Sequence, residues 1–458
     1  MNKYERYKKV NLPWLKEIPN HWCIDKTKRF SENKKEINKG NRERNILSLT
    51  LKGVVKNNIE NPNGLTPESY ETYQIFEKND LVFKLIDLEN IKTSRVGIVE
   101  ENGIMSSAYI RLVFGSSIYP KYVYYYFFKL YIEQVYNNLG SGVRSTMNSD
   151  DLRDILLPIP PIKEQVQIAN YLDWKINEID RLIQIEKEKI KELENLRFNV
   201  IYKFILKGID TQNYKKSNIN WVDTIPVHWN ELSIRGCVNI IRGNSTFTKD
   251  DLSNQGKYVG LQYGKVYKTE IIDSDFEFYV SDKFYKPSQI VNRNDIIIVS
   301  TSETLEDLGH TSFYDREAIG LIGGEQILLK PLNNINPKYL FYLSKVFRFQ
   351  LQLRAAGIKV YRFKISDLKK IYLPVPPIKE QEKIVLYIEF KIKQIDENMK
   401  NNYLLIEKLE LLKQSLISEV VTGQIDVRDI AIPEYEKVAI ADEEIEETDE
   451  MEGKEYGN

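Results

Sequence analysis

Leu157-Pro-Ile-Pro-Pro-Ile-Lys-Glu-Gln165 returns as Leu373-Pro-Val-Pro-Pro-Ile-Lys-Glu-Gln381, eight of nine residues kept at a distance of 216 positions. A second phrase, Trp14-Leu-Lys-Glu-Ile-Pro-Asn-His-Trp22, returns as Trp221-Val-Asp-Thr-Ile-Pro-Val-His-Trp229, 207 positions on. The chain is therefore one unit of a little over 200 residues written twice. Units of that size are large domains, not turns of a solenoid. A duplication of this kind predicts a pseudo-two-fold molecule, suited to a two-fold or bipartite target.

The proline phrase marks the start of a long helix in each copy. Pro160-Pro161 and Pro376-Pro377 fit first helical positions, where the absent N–H is not needed. Glu164 and Glu380 fall in the first turn, at the positive end of the helix dipole. Gly208 and Gly423 follow the last periodic residues, as C-terminal caps. Helices over about 160–207 and 376–422 result, each a rod of roughly 65–70 Å at 1.5 Å per residue. Their a/d positions read Leu172, Ile176, Ile179, Ile183, Glu186, Ile190, Leu193, Arg197, Val200 and Phe204. The second helix reads Ile388, Ile392, Ile395, Met399, Asn402, Ile406, Leu409, Lys413, Leu416 and Val420. This is a coiled-coil seam, and its polar interruptions, Glu186/Asn402 and Arg197/Lys413, fall at matching places. Two such rods in one chain bury their seams most simply against each other. Antiparallel rods aligned end to end would set Glu186 level with Lys413 and Asn402 with Arg197. A parallel pair, or pairing with partner helices, is the alternative.

Ahead of each helix lies a mixed region. Apolar runs such as Arg95-Val-Gly-Ile-Val99 and Asp295-Ile-Ile-Ile-Val-Ser300 alternate with turn signals, among them Asn63-Gly64 and Gly323-Gly324. A helical patch, Pro120-Lys-Tyr-Val-Tyr-Tyr-Tyr-Phe127, is echoed by Pro337-Lys-Tyr-Leu-Phe-Tyr-Leu343. The fold class is α+β. The organisation is 1–156 and 211–372 as mixed domains, 157–210 and 373–430 as helical segments, and 431–458 as an acidic tail. Asn79-Asp-Leu-Val-Phe-Lys84 aligns with Asn294-Asp-Ile-Ile-Ile-Val299, but the residues beyond them differ sharply, so the two mixed domains are diverged.

The net charge of −1 hides an asymmetry. Residues 434–458 hold 11 acidic and 2 basic residues, which leaves +8 on the rest. A modestly basic body permits a polyanionic partner. The tail is too poor in apolar residues to offset its ordering entropy and is expected to be disordered, a solubilising segment before a docking arm or nucleic-acid mimic. Apolar content is 42%, ordinary for a globular chain, and no stretch approaches the roughly 18 apolar residues of a membrane span. The opening Met1-Asn-Lys-Tyr-Glu-Arg-Tyr-Lys-Lys9 lacks the apolar core of a signal peptide. Two cysteines, Cys23 and Cys237, form no Cys-X-X-Cys pair, so a reduced, cytoplasmic protein is expected.

Catalytic motifs are scarce. Ile159-Pro-Pro-Ile162 and Val375-Pro-Pro-Ile378 stand where an adenine methyltransferase would need Asn/Asp-Pro-Pro-Tyr/Phe. Leu139-Gly-Ser-Gly142 is only a Gly-X-Gly fragment, no phosphate loop occurs, and Glu32-Asn-Lys34 is a chance-level Glu-X-Lys triplet. His21 and His228 sit beside Trp22 and Trp229 and read as packed or hydrogen-bonded core neighbours; His21, Cys23, His228 and Cys237 have the wrong spacing for a zinc finger, and no metal site is expected. Basic segments carry more. Lys26, Lys28, Arg29, Lys34, Lys35, Lys39, Arg42 and Arg44 crowd into 25–44, diluted by Asp25, Glu32, Glu36 and Glu43, so DNA contact and a solvated surface are equally good readings. Gly142-Val-Arg144-Ser-Thr-Met-Asn148 and Gly357-Ile-Lys359-Val-Tyr361-Arg362-Phe-Lys364 are glycine-led segments with side chains of the kinds that meet phosphates and base edges.

Two mixed domains, each followed by a proline-marked coiled-coil helix, resemble the specificity subunit of a type I restriction–modification system. The duplicated Leu-Pro-Ile/Val-Pro-Pro-Ile-Lys-Glu-Gln and Trp-X-X-X-Ile-Pro-X-His-Trp phrases carry the resemblance, with Asp151-Leu152 and Asp367-Leu368 following each glycine. It covers about 1–430. It implies two target-recognition domains reading the halves of a bipartite, asymmetric, gapped site on double-stranded DNA, with half-site centres about one helical turn apart. It implies that the coiled coil is spacer and platform for two methyltransferase subunits, joined by restriction translocase–nuclease subunits. It implies no cofactor and no catalysis on this chain, with S-adenosylmethionine on the partner methyltransferase and ATP and Mg on the restriction subunit. The alternatives are a methyltransferase or nuclease with unrecognised motifs, and a coiled-coil scaffold.

Overall fold

A computed structural model describes residues 2–51, 53–57, 69–88, 95–139 and 146–438. The chain forms two compact units. The first gathers the described residues up to 187 and those from 403 on; the second is 188–402. Four helices organise them: α1 (Pro120–Ile132), α2 (Ile162–Lys207), α3 (Pro337–Gln352) and α4 (Ile378–Val421). Each long helix, α2 and α4, contributes one half to each unit.

In the first unit an antiparallel sheet runs in the order Ser31–Asn33, Ile110–Phe114, Leu81–Lys84, Arg95–Ile98. Leu81-Val-Phe-Lys84 is buried throughout because both its faces are covered: Leu81 and Phe83 enter the core with α1, while Val82 enters a smaller cluster with Leu47, Leu49 and Phe76. The second unit has a five-stranded sheet in the order Val238–Arg242, Gln326–Pro331, Ile296–Val299, Thr311–Tyr314, Ile271–Ile272. A separate four-stranded sheet, Tyr279–Val280, Tyr258–Leu261, Gly320–Ile322, Ile290–Val291, shares a core with it, where Val259, Leu261 and Ile322 meet Ile297, Tyr314 and Leu328. Ile296-Ile-Ile-Val299 obeys the rule of Leu81–Lys84, with Ile296 and Ile298 toward α3 and Ile297 in a second core.

The aligned Asn-Asp pairs show why the two copies share a strand start. Asn79 and Asn294 both take the left-handed conformation, at φ 74° and 75°. Asp80 then accepts from the Glu77 N–H and Asp295 from the Asn292 N–H, closing equivalent turns. Each carboxylate also meets a cation from the neighbouring strand, Arg111 at 2.6 Å or Lys330 at 2.6 Å.

The long helices pair antiparallel. In the first unit Ile168, Ala169 and Leu172 at the start of α2 share a core with Leu416, Ile417 and Val420 at the end of α4. In the second, Ile201 and Ile205 at the end of α2 share one with Ile384, Ile388 and Ile392 at the start of α4. Seam residues Leu172, Ile179, Ile183, Ile190, Ile388, Ile392, Ile395 and Leu416 are buried; Ile176, Leu193, Val200, Met399, Ile406 and Leu409 are half-buried. The register differs from end-to-end alignment. Lys413 pairs with Asp180 at 2.6 Å, not with Glu186, and Arg197 meets Asp396 at 3.3 Å, not Asn402. The carboxylates lie six residues from the expected positions, so each of the two basic interruptions finds an opposite charge.

The two repeated phrases meet each other in a joint. In the first unit Glu164 is buried and accepts from Trp22 Nε1 (2.9 Å) and Tyr4 Oη (2.5 Å), with His21 Nε2 at 2.8 Å. In the second, Glu380 accepts from Trp229 Nε1 (3.0 Å), with His228 Nε2 at 2.7 Å. The glutamines that follow tie down the aromatic helices. Gln165 Oε1 accepts from the Tyr119 N–H ahead of α1, and Gln381 Oε1 from the Asn336 N–H ahead of α3. Their amides donate to Pro160 and Pro376 carbonyls. Tyr122 Oη donates to Pro158 O and Tyr339 Oη to Pro374 O, at 2.9 and 3.0 Å. Strands Leu156–Ile159 and Tyr372–Val375 pair with Cys23–Lys26 and Asn230–Ser233, so each phrase begins as a strand and ends as a helix. The opposite long helix ends in the same joint. Gly423, at φ 73°, leaves no room for a Cβ, which would stand 2.5 Å from Pro19 and 3.0 Å from Trp22.

Candidate nucleic-acid interface

The basic segment 25–44 divides in two. Lys26 ends the strand that pairs with the proline phrase, and Asp154 takes both Lys26 (3.3 Å) and Lys28 (2.7 Å). Hydrogen bonds from Lys28 and Lys26 hold the Asp154 carboxyl below its usual range. Arg29 pairs with Asp25, Lys34 with Glu77 at 3.7 Å and Arg42 with Glu36 at 2.9 Å. These cations belong to the domain's own surface network. Lys35, Lys39 and Arg44 are exposed and form no ion pair among the described residues. They are the part of the segment left to meet a polyanion.

The first glycine-led loop is described only from Thr146 onward; Arg144 lies outside the described residues. Asn148 has a structural task. Its Oδ1 accepts from the Asp150 and Asp151 N–H groups at 2.8 and 3.0 Å, and Asp151 accepts in turn from the Asn148 N–H, a capping box that starts helix Ser149–Arg153.

The second loop is a hairpin. Ala356 and Arg362 exchange both backbone hydrogen bonds at 2.9 Å, and Tyr361–Arg362 pairs with Thr301–Ser302 of the second unit. Gly357 turns the chain at φ 126°, where a Cβ would lie 1.9 Å from the Val360 carbonyl oxygen, so no other residue fits. Phe363 is buried below and Tyr361 packs half-buried on the core, which makes Tyr361 an anchor and not an exposed reader. Lys359 and Lys364 are exposed, and Arg362 is exposed while touching Glu325 at 3.3 Å. The sequence reading missed two neighbours. Arg354 adds a cation at the foot, and Ile358 at the tip is 94% exposed. A glycine followed by an isoleucine between cations was the available signal for Ile358. The arrangement offers phosphate donors around an apolar tip on a backbone stiff enough to hold them.

A half-buried ionic cluster fixes this unit to its helix. Glu270 takes Arg197 of α2 at 2.7 Å and Lys345 of α3 at 2.6 Å. Desolvation opposes ionisation of Glu270, but the Arg197 hydrogen bond and the charges of Lys345 and Arg197 outweigh it and hold the pKa down at about 2. Among the described residues no group of three or more His, Cys, Asp or Glu side chains could hold a metal ion, and no helix is long and apolar enough to cross a membrane.

Two unlike mixed domains, each locked by the same joint to a shared pair of helices, define a duplicated recognition protein. Residues 15–195 and 226–408 each match the type I restriction modification DNA specificity domain, and the chain belongs to that family. It is 24% identical over 293 residues to a putative type I restriction enzyme MjaX specificity subunit of Methanocaldococcus jannaschii, covering 62% of this chain and 63% of that one, just under two thirds. It is 23% identical over 437 residues to the type I restriction enzyme EcoBI specificity subunit of Escherichia coli, covering 87% and 84%. Its fold is also that of a chain solved in a study of complex assembly and conformational transition of a type I R-M system, with TM-score 0.65, 13% identity, and 89% and 99% covered.

Proposed function

We propose that the chain is the non-catalytic DNA-reading subunit of a type I restriction–modification complex. Each mixed domain reads one half of a bipartite, asymmetric, gapped site, and the paired helices fix the gap and dock two methyltransferase subunits. The observation that carries this reading is the pair of equal joints, Glu164 with Trp22 and Glu380 with Trp229, holding two domains whose sheets differ. Equal mounts with unequal readers suit a target of two different halves. Half-site centres lie about one helical turn apart, because readers on one spacer meet one face of the duplex. Lys35, Lys39 and Arg44 serve the first half-site, and Arg354, Lys359, Arg362 and Lys364 the second. Exposed apolar residues on the long helices, among them Leu182, Leu386 and Phe390, supply surface for the partner subunits. S-adenosylmethionine binds the methyltransferase subunits, and ATP and Mg the restriction translocase–nuclease subunits.

Methylome sequencing of the host with and without this chain tests the reading. A single gapped motif with unlike halves should vanish on deletion; an unchanged methylome refutes it. Inserting four residues into both α2 and α4, about 6 Å of helix, should lengthen the gap by roughly one or two base pairs while both halves stay the same.

A further inference from the structure

The hairpin of the second unit ends in a side chain that its own unit does not use. Ile358 is 94% exposed, although other residues of the hairpin are held: Tyr361 is half-buried on the core and Phe363 is buried. The backbone beneath it is fixed. Ala356 and Arg362 exchange two hydrogen bonds at 2.9 Å, and the Phe363 N–H donates to the Ser300 carbonyl at 3.3 Å. Thr301–Ser302 pairs antiparallel with Tyr361–Arg362, which ties the hairpin to the chain leaving strand Ile296–Val299. At Gly357, with φ 126°, a Cβ would stand 1.9 Å from the Val360 carbonyl oxygen, so the turn that presents Ile358 is tightly closed.

Charge selects what such a tip can meet. Arg354, Lys359 and Lys364 are exposed and form no ion pair among the described residues, and Arg362 is exposed beside Glu325. Four cations around one isoleucine suit a polyanion, whose phosphates they hold while the tip enters between them. A two-stranded ribbon fits the major groove of DNA, about 12 Å wide, and not the minor groove, about 6 Å wide. Base edges in the major groove are lined by hydrogen-bonding groups, and the apolar group among them is the C5 methyl of thymine. Opposite a G·C pair the isoleucine would take water from N7, O6 or N4 and return no hydrogen bond.

We propose that Ile358 is a specificity-determining residue of the second unit and recognises the methyl group of one thymine in the major groove. The proposal rests on the DNA-reading function and adds to it one base and the residue that selects it. Arg354, Lys359 and Lys364 hold phosphates and carry no sequence preference; Ile358 favours an A·T pair at its own position. Burial of one methyl group against it corresponds to a factor of roughly three to five in affinity. Because Ile358 lies outside the core, its replacement leaves the packing of the second unit intact.

The test uses the full chain in complex with its methyltransferase partner and a fluorescein-labelled duplex bearing the motif that methylome sequencing gives, with binding read by anisotropy. Each thymine of the motif is replaced in turn by deoxyuridine, which removes the methyl group and nothing else. One replacement should weaken binding by the parent complex roughly three- to fivefold. With Ile358→Ala that same replacement should have no effect, and with Ile358→Leu the effect should return. Ile358→Ala should leave the salt slope unchanged, while Lys359→Gln should lower it by about one and keep the methyl effect. A parent complex indifferent to every methyl group overturns the proposal, as does a methyl effect that survives Ile358→Ala. So does failure of the Ile358→Ala chain to assemble with its partner, which would place the tip on protein instead. A parent complex that binds the motif no better than an unrelated duplex would overturn the DNA-reading function itself.

Discussion

The two joints are nearly the same object, and the two domains they hold are not. At each joint a tryptophan and a histidine address one glutamate, a glutamine ties down the aromatic helix, and a tyrosine closes onto the proline strand. Above the joints, the first unit builds a four-stranded antiparallel sheet with small satellites, the second a five-stranded sheet and a further four-stranded one with parallel pairs. On the proposed function, mounting is therefore separable from reading. One set of contacts holds two unlike domains, each within its own unit.

The joints still differ in depth, and this gives the largest expected effect. The Glu164 side chain is 5% exposed and serves Tyr4 as well as Trp22; that of Glu380 is 25% exposed, and Thr211 aligns with Tyr4. Glu164→Ala strands two buried donors and should destabilise the first unit by about 2–6 kcal/mol. Glu380→Ala strands one and should cost the second about 1–3 kcal/mol. Hydrogen exchange under rising denaturant, resolved by unit, checks this; equal losses would show that the joints are energetically the same.

A smaller difference concerns acid. Glu270, Arg197 and Lys345 form their cluster in the second unit, where Phe128 of the first aligns with Lys345. The Glu270 pKa is depressed, so its stabilisation is present above the ordinary carboxylate pKa and is lost as pH falls from about 4.5 toward about 2. Glu270→Gln should lower second-unit stability at pH 7 and flatten its dependence between those limits. An unchanged acid profile would dissolve this part of the contrast.

The smallest effect is at the phrase's first tryptophan. Trp14 Nε1 donates to Tyr126 Oη at 3.1 Å, but Leu343 stands where that tyrosine would be and the buried Trp221 Nε1 has no partner among the described residues. Trp14→Phe should cost about 1 kcal/mol and Trp221→Phe roughly half that or less, compared by thermal melts of the two variants. Equal costs would mean that the Trp14 bond contributes nothing.

Repetition made the frame legible. Pro160-Pro161, Gly208 and the apolar heptads located the long helices, and their number within one chain pointed to antiparallel pairing. The register was not legible, because Asp180 and Asp396 lie off the a/d seam and only the folded pair shows that they receive Lys413 and Arg197. The role of Glu164 was hidden for a similar reason: a carboxylate in a first helical turn already has a local explanation, and its long-range partners leave no local pattern. The candidate interface residues were the hardest. Tyr361 and Asn148 have types common at DNA surfaces, but burial and capping, set by tertiary context, claim them.

If the frame is indifferent to which reader it carries, while each reader dictates its own half-site, then readers can be exchanged without moving the gap. Replacing residues 230–375 with a second copy of 23–159, strand to strand, makes that exchange. The methylome of a host carrying the hybrid with its methyltransferase partner should then show a gapped site made of two copies of one original half-site, at the original spacing. An active hybrid that still marks the asymmetric site would contradict this separation of mounting from reading.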